Sequence, residues 1–277
     1  MIAAAQPEII VANGSLRAAG FADRVAAASG AGFDGFGMHV RDYAQLRSTG
    51  STDADLRSVL GDNGFDLIEI ETVLGWDDLP DRRNADGLSR EHLAFQLADA
   101  VGARHVVAVG ALTGPQRDTA AEGFAGLCDR AAQHGLLVAL EPQACSSIVD
   151  LRSALDIVRT AGRANGGLNL DIWHATRGGW PQAELAALSP DEIVVVQLDD
   201  GPMQKITEDY LEECTHYRRA PGDGEFDIDG FLRLVYGTGT TAPISVEVMS
   251  DELDLLPVRT TADRLLTATR RALSQMG

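Results

Sequence analysis

The sequence contains one lysine, Lys205, among its 23 basic residues. Schiff-base aldolases and pyridoxal enzymes need a lysine amine, usually one that is shielded from water. Lys205 follows a Gly-Pro pair in a segment that we predict to be a loop, which is an unpromising place for such an amine. The scarcity of lysine therefore argues against both of these enzyme classes.

Cysteine is also scarce, and long apolar runs are missing. The three cysteines, Cys128, Cys145 and Cys214, have no C-x-x-C spacing, so neither a disulfide framework nor a zinc ribbon is indicated. No apolar stretch approaches the ~20 residues that span a bilayer, and no positively charged N-terminal segment precedes an apolar run. We therefore expect a cytoplasmic protein that has no membrane partner.

Positive charge is in deficit, because the net charge is −18 and the isoelectric point is near 4.6. A protein of this charge repels polyanions, so we do not expect nucleic acid as a partner. The chain has 277 residues, of which 45% are hydrophobic, and it can bury a full core. This length fits one α/β barrel, and we predict a single domain over residues 1–277.

Apolar strand-like runs alternate with helical segments along the whole chain. The predicted strands are Glu8–Ala12, Phe33–His39, Asp66–Glu71, His105–Gly110, Leu136–Glu141, Leu168–Trp173, Ile193–Leu198 and Pro243–Val248. The predicted helices are Phe21–Ser29, Thr52–Leu60, Glu91–Val101, Asp118–His134, Asp150–Ala161, Gln182–Leu188, Ile228–Tyr236 and Thr261–Ser274. From the second strand to the seventh, strand starts are about 25 to 40 residues apart, the length of a βα unit. The pattern predicts an α/β fold with eight strands and eight helices, a (β/α)8 TIM barrel.

The last four strands each carry an oxygen-bearing side chain at the end. These residues are Glu141, Asp171, Gln197 and Glu247. The residue two positions before each of them is small or polar, and the flanking positions are mostly leucine, isoleucine or valine. Because side chains alternate between the two faces of a strand, the oxygen ligands should point into a barrel while the apolar residues pack against surrounding helices.

A doubly wound sheet would show the same alternation of strands and helices. No G-x-G-x-x-G motif follows the first strand, however, and the four candidate ligands lie on consecutive strands. In a closed barrel the ends of these strands converge at one mouth. This convergence favours the barrel.

Several motifs in strands five to eight resemble those of the sugar isomerase/epimerase superfamily of xylose-isomerase-like TIM barrels. They are L-E-P with Glu141, D-x-x-H with Asp171 and His174, V-Q-L-x-D with Gln197, R-R-x-P-G-x-G at Arg218–Gly224, and S-V-E-V with Glu247. The resemblance covers about Leu136 to Leu253, and strands one to four match only in rhythm. Many epimerases of this superfamily have histidine where this chain has Gln197. In having glutamine at this position, the chain is more similar to hydroxypyruvate isomerase, ketoinositol dehydratase and dehydroshikimate dehydratase.

The resemblance implies one divalent metal ion bound by Glu141, Asp171, Gln197 and Glu247. Three carboxylates and one amide oxygen are hard ligands that suit Mn²⁺ or Mg²⁺ best, with Co²⁺ and Zn²⁺ as further possibilities. The remaining coordination positions would suit the adjacent carbonyl and hydroxyl oxygens of a small hydroxyketone. Chelation would acidify the proton next to the carbonyl, because the metal stabilises the charge of the enediolate.

The resemblance also implies roles for the residues around the metal. Glu141 and Glu247 would be the catalytic pair, one removing a proton from one face of the substrate and the other returning it to the opposite face. His174 and Arg218 would bind substrate, with Arg219 able to replace Arg218. The ends of strands two and three place His39, Glu71 and Trp76 where they could line the same mouth, and we include them as candidate substrate-binding residues.

Four functions are compatible with these residues. The first is a metal-dependent isomerase or epimerase of a small ketose, sugar or related hydroxy-carbonyl compound, which acts through an enediolate. The second is a dehydratase that uses the same enolate to expel water from a cyclic keto-polyol or a dehydroshikimate-like substrate. The third, a nuclease of the endonuclease IV type, would need a histidine-rich trinuclear zinc site, which six histidines and a charge of −18 do not favour. The fourth is a metal-binding subunit of a larger complex, and a homo-oligomer is also possible.

The interval between strands seven and eight is longer than the other intervals between strands, and the excess falls in the segment Asp199–Glu225. It contains Lys205, two tyrosines and the R-R-x-P-G-x-G motif. Long loops in compact domains are usually functional or disordered. We expect this segment to be a loop that covers the bound substrate.

Overall fold

The eight strands form one closed parallel barrel in the order in which they occur in the chain. The computed structural model describes residues 6–77, 85–112 and 114–275, without the side chains of residues 85–89. Strand β1 pairs with β2 on one side and with β8 on the other, where Ile9 lies opposite Ile244. This closure confirms the predicted (β/α)8 TIM barrel.

The strands agree with the predicted apolar runs to within a few residues at each end. Their bounds are β1 Ile9–Val11, β2 Gly35–His39, β3 Leu67–Val73, β4 His105–Val109, β5 Leu137–Glu141, β6 Gly166–Asp171, β7 Ile193–Leu198 and β8 Ile244–Val246. All of them are buried almost throughout, because helices cover the barrel wall on the outside.

The described residues contain twelve α-helices, four more than the eight predicted. Their bounds are α1 Phe21–Ala31, α2 Val40–Ser48, α3 Asp53–Asp62, α4 Ala85–Val101, α5 Ala120–Ala132, α6 Leu151–Ala161, α7 Ile172–Gly178, α8 Gln182–Ala186, α9 Tyr210–His216, α10 Ile228–Gly237, α11 Asp251–Asp254 and α12 Val258–Ser274. The additional helices α2, α7, α9 and α11 follow β2, β6, β7 and β8, so they lie at the carboxyl ends of the strands. None of the described helices has the length and apolar character needed to cross a bilayer.

The sixth strand ends two residues earlier than predicted, and the reason is local. Asp171 is the N-cap of α7, and its Oδ1 accepts a hydrogen bond from the backbone N–H of Trp173 at 2.7 Å. This bond satisfies one of the free N–H groups at the start of a helix, so Ile172 and Trp173 become helical instead of extending the strand. The same residue thus ends β6, begins α7 and places a carboxylate at the barrel mouth.

Polar side chains cross the interior of the barrel. The Glu69 carboxylate accepts from the Ser245 hydroxyl at 2.7 Å and contacts His105 Nε2 at 2.7 Å, and all three residues are fully buried. Asn169 Nδ2 donates to Gln197 Oε1 at 2.6 Å. Gln197, one of the four positions that were predicted to point inward, thus takes part in a hydrogen bond that crosses between strands.

The segment Asp199–Glu225 is folded against the barrel instead of forming an open loop. It contains α9, and an antiparallel bridge joins Asp200 to Arg219. The buried Asp200 carboxylate accepts from the backbone N–H groups of Gly222, Gly224 and Phe226 at 2.9 to 3.0 Å. A Cβ atom added at Gly224 would lie 2.3 Å from Asp200 Oδ1, so only glycine fits the turn at that position.

Candidate active site and metal centre

Three carboxylates and one histidine come together where β5, β6 and β8 end. Glu141 is the last residue of β5, Asp171 is the last residue of β6, and His174 lies one helical turn further along α7. Ligand atoms of these three residues all lie within 4.8 Å of one another, and all three residues are buried. Glu247 follows β8 and shares a partner with Asp171, because Arg218 Nη1 lies 2.9 Å from Asp171 Oδ2 and 3.2 Å from Glu247 Oε2.

Two buried atoms at this centre, Glu141 Oε1 and His174 Nε2, make no hydrogen bond to any residue that the structure describes. They face each other at 3.3 Å, and His174 Nε2 also lies 3.4 Å from Asp171 Oδ2. Buried polar atoms without partners are costly, so an ion or a polar ligand at this point would be stabilised. The donor set therefore fits a divalent metal ion.

Arg218 occupies the middle of the acidic cluster and is almost completely buried. Its guanidinium contacts Asp171 and Glu247, makes a further ion pair with Asp199, and donates from Nε to the carbonyl of Cys214 at 2.8 Å. Burial alone would lower the pKa of Arg218, but the surrounding carboxylates raise it well above its ordinary value. Arg218 is thus a permanent positive charge that holds several acidic side chains together.

Glu247 lies among charged neighbours at the mouth. Burial raises the pKa of Glu247 to about 8, although Arg218 acts in the opposite direction, and the negative charges of Glu141 and Asp171 raise it further. A carboxyl group with a pKa near neutrality can exchange a proton with a bound molecule, and it must be ionised to act as a base. Glu247 is therefore a candidate for proton transfer.

Gln197 is buried at the end of β7, opposite Asp171 in the strand register. Its Oε1 accepts from Asn169, and that hydrogen bond would have to be exchanged for a metal to use the same oxygen. Asn169 lies two residues before Asp171, on the same face of β6, and is therefore part of the site. The sequence shows a polar residue at this position but does not indicate its hydrogen-bond partner.

Glu71 and His39 are register partners at the ends of β3 and β2. Glu71 Oε1 accepts from the backbone N–H of Asn13 at 2.8 Å. Burial raises the pKa of Glu71 well above its ordinary value, and the charges of Glu69 and Glu247 raise it further. Glu71 thus belongs to the same acidic group as Glu247.

Trp76 follows β3 and lies beside the end of β4. Its indole is fully buried, donates from Nε1 to the carbonyl of Val109 at 2.8 Å, and packs edge-on against Phe124. The single donor of this side chain is therefore satisfied by the protein, and contact between Trp76 and a substrate stays a prediction.

Asp199 and Tyr210 also belong to the site, although sequence analysis did not single them out. Asp199 is fully buried, and burial raises the pKa of its carboxyl well above the ordinary value while Arg218 acts to lower it. The hydroxyl of Tyr210 lies 2.5 Å from His174 Nδ1. Asp199 lies two residues after Gln197 on the alternating pattern of β7, a periodicity that could have identified it.

His39 should make the stability of the protein depend on pH. Its Nδ1 accepts from the backbone N–H of Arg41 at 3.0 Å, so the neutral ring carries its hydrogen on Nε2. Burial, followed by the charge of Arg41, lowers the pKa of His39 to about 4. In the unfolded chain this histidine titrates near its ordinary pKa of ~6.5. Between these values the unfolded state binds more protons, so stability is full above ~6.5 and is lost as pH falls towards 4.

We expect His39→Gln to remove this contribution. Between the two pKa values the wild-type protein should lose roughly 3 kcal/mol more free energy of unfolding than the variant, measured by urea denaturation across that range. His92→Gln, at an exposed histidine in α4, should keep the wild-type slope. An identical pH dependence in His39→Gln and wild type would show that His39 is not held neutral.

Comparisons with known proteins show which proteins this chain is similar to. The profile of the xylose isomerase-like TIM barrel family matches residues 25–272. The 3-dehydroshikimate dehydratase of Pseudomonas aeruginosa is 32% identical over 87% of this chain, and the chain spans 38% of the length of that relative. The inosose isomerase of Bacillus velezensis is 24% identical over 86% of this chain and 89% of its own length.

A solved structure of the IolI protein with a bound zinc atom has the same fold. It superposes with a TM-score of 0.85 at 18% identity, covering 98% of this chain and 99% of that chain. At this identity the likeness establishes the shared barrel and leaves the chemistry to be argued from the residues themselves.

Proposed function

Because this chain belongs to the xylose isomerase-like TIM barrel family, we propose that it is an enzyme that removes a proton beside the carbonyl of a cyclic hydroxyketone and then expels water. The observation that carries this proposal is the grouping of Glu141, Asp171 and His174, in which Glu141 Oε1 and His174 Nε2 are buried and make no hydrogen bond within the part of the chain that the structure describes. The relatives named above support the substrate class, since 3-dehydroshikimate and inosose are both six-membered-ring hydroxyketones.

We propose that one divalent ion is held by Glu141, Asp171, Gln197 and Glu247, with His174 beside it. Mn²⁺ or Mg²⁺ suits three carboxylates and an amide oxygen best. When bound, the ion supplies positive charge that stabilises the negative charge developing on the substrate's carbonyl oxygen. Glu247 and Gln197 would exchange their present contacts with Arg218 and Asn169 to join this set.

The side chains of this site can carry out the proton transfers. Glu247 takes the proton next to the carbonyl, for which its carboxyl must be ionised, and the positive charge of Arg218 favours that form by lowering the pKa of Glu247. His174 Nε2 faces the centre, has no hydrogen bond to any described residue, and can donate a proton to the hydroxyl that leaves. Glu71 and His39 bind further hydroxyl groups of the substrate from the β2 and β3 side.

Isomerisation or epimerisation is the second candidate function. One relative, the inosose isomerase, favours this function. So does the placement of Glu141 at the end of β5 and of Glu247 just after β8, because other strands separate β5 from β8 in both directions around the barrel. The same enolate would then regain a proton, delivered by Glu141, instead of losing a hydroxyl.

The test is to incubate the protein with Mg²⁺ or Mn²⁺ in deuterated water, once with 3-dehydroshikimate and once with an inosose. Dehydration should produce new ultraviolet absorbance from the conjugated product, and isomerisation should place deuterium on a carbon of the product. Proton exchange should depend on the ion in either case. Turnover of either compound without solvent exchange and without a new double bond would contradict proton abstraction beside the carbonyl, and inertness towards both would contradict the substrate class.

A further inference from the structure

Helices α7 and α9 meet through two pairs of side chains with identical spacing. His174 and Arg177 are three residues apart on α7, and Tyr210 and Glu213 are three residues apart on α9. His174 pairs with Tyr210 and Arg177 pairs with Glu213, each at a separation of 36 residues along the chain. Residues three apart lie on the same helix face, so the two contacts form adjacent rungs between the helices.

The first rung controls the histidine of the site. The Tyr210 hydroxyl lies 2.5 Å from His174 Nδ1, and the two rings stack with centroids 5.8 Å apart and planes 21° apart. The other ring nitrogen, Nε2, faces the carboxylates of Glu141 and Asp171. Among the described residues, His174 Nδ1 is the hydrogen-bond partner of the Tyr210 hydroxyl, so the hydroxyl donates to Nδ1 and the hydrogen of the neutral ring is on Nε2. Burial raises the pKa of Tyr210, which keeps this hydroxyl protonated.

The second rung is a buried ion pair with a fixed geometry. Arg177 donates from Nε to Glu213 Oε2 and from Nη2 to Glu213 Oε1, both at 3.0 Å, and the two side chains are only 3% and 1% exposed. The guanidinium lies 4.7 Å from the ring centre of Trp173 and also donates to the carbonyl of Pro202 at 2.7 Å. A bidentate pair held from several sides allows one orientation of α9 against α7.

We propose that Tyr210 and the Arg177–Glu213 ion pair are positioning residues that hold the His174 ring in one tautomer, with its hydrogen on Nε2 and directed into the site. The ion pair sets the register of α9, and that register brings the Tyr210 hydroxyl onto Nδ1. The role of His174 in the reaction rests on the proposed function, but its orientation is a property of the chain that is measured without substrate.

The experiment is nitrogen-15 spectroscopy of the histidine side chains in the full chain with Mg²⁺ present, at a pH above the ordinary histidine pKa of ~6.5. The His174 signals are assigned with His174→Gln. In the wild type, the Nδ1 and Nε2 resonances of His174 should be well separated, and the hydrogen should be coupled to Nε2. In Tyr210→Phe and in Arg177→Lys, the two resonances should move towards each other as the tautomers mix.

Glu184→Gln is the matched control, because Arg152 and Glu184 form an exposed ion pair that also joins two helices, α6 and α8, and involves neither α7 nor α9. It should leave the His174 spectrum unchanged. Wild-type resonances in Tyr210→Phe or in Arg177→Lys would overturn the role of the residue concerned. Loss of cooperative thermal unfolding in Arg177→Lys would also overturn the proposal, because it would assign the ion pair to the stability of the whole barrel and not to one contact. Loss of turnover with an unchanged spectrum concerns only the proposed function.

Discussion

Glu247→Gln should lower the turnover of an identified substrate by about a hundredfold to ten-thousandfold while the protein keeps its divalent ion. The glutamine amide still presents an oxygen to a metal, but it cannot accept a proton at neutral pH. In the proposed function Glu247 is the base, so its replacement by glutamine removes proton abstraction and spares most of the metal binding. Elemental analysis and steady-state rates on the same preparation provide the two measurements.

Two further variants make the Glu247 result interpretable. Asp171→Ala should lose both metal and turnover, because Asp171 also anchors Arg218 and caps α7. Glu212→Gln, at an exposed acidic residue of α9, should lose neither. A Glu247→Gln protein that turns over substrate at the wild-type rate would remove Glu247 from the mechanism and transfer the role of base to Glu141 or His174.

Glu69→Ala should lower the free energy of unfolding by about 3–5 kcal/mol. Glu69 is bonded to His105 Nε2 and to the Ser245 hydroxyl inside the barrel, where none of the three side chains has any exposure. Burial alone would raise the pKa of Glu69, but the bond from His105 lowers it below the ordinary value, so the glutamate is ionised. Alanine would leave two polar groups without partners and a cavity beside them.

Urea denaturation of Glu69→Ala measures this loss. Glu184→Gln breaks an exposed ion pair and should cost less than about 1 kcal/mol, which gives the scale for a carboxylate at the surface. A Glu69→Ala protein within about 1 kcal/mol of wild type would show that water enters the barrel interior and satisfies His105 and Ser245.

The barrel could be predicted because its determinants are local and repeated. Apolar alternation in each strand and the regular spacing of βα units act on every part of the chain in the same way, so small errors at the ends do not change the topology. Strand six shows where such errors arise: Ile172 and Trp173 continue the apolar pattern, but the side chain of Asp171 caps a helix instead. A periodic pattern does not indicate whether the carboxylate at the end of a strand caps a helix or lets the strand continue.

The site could be predicted in part for the same reason. Glu141 and Asp171 end neighbouring strands, so the topology alone brings them together. Arg218 was identified as a substrate-binding candidate, yet its contacts with three carboxylates depend on how Asp199–Glu225 folds, and that segment has no periodic pattern. The pairing of Tyr210 with His174 joins two short helices that were not predicted, so no strand rule could reveal it.

The hydrogen bond between Glu69 and Ser245 joins residues 176 positions apart, on the third and eighth strands. During synthesis, the ribosome completes β3 long before β8 exists, so the charged side chain of Glu69 lacks one of its partners for most of translation. A half-finished barrel would bury this carboxylate while one of its hydrogen-bond partners is missing, which opposes early compaction of the N-terminal strands. Barrel closure should therefore be a late, concerted event, and the nascent chain should remain open to chaperones until its C-terminal strand has emerged.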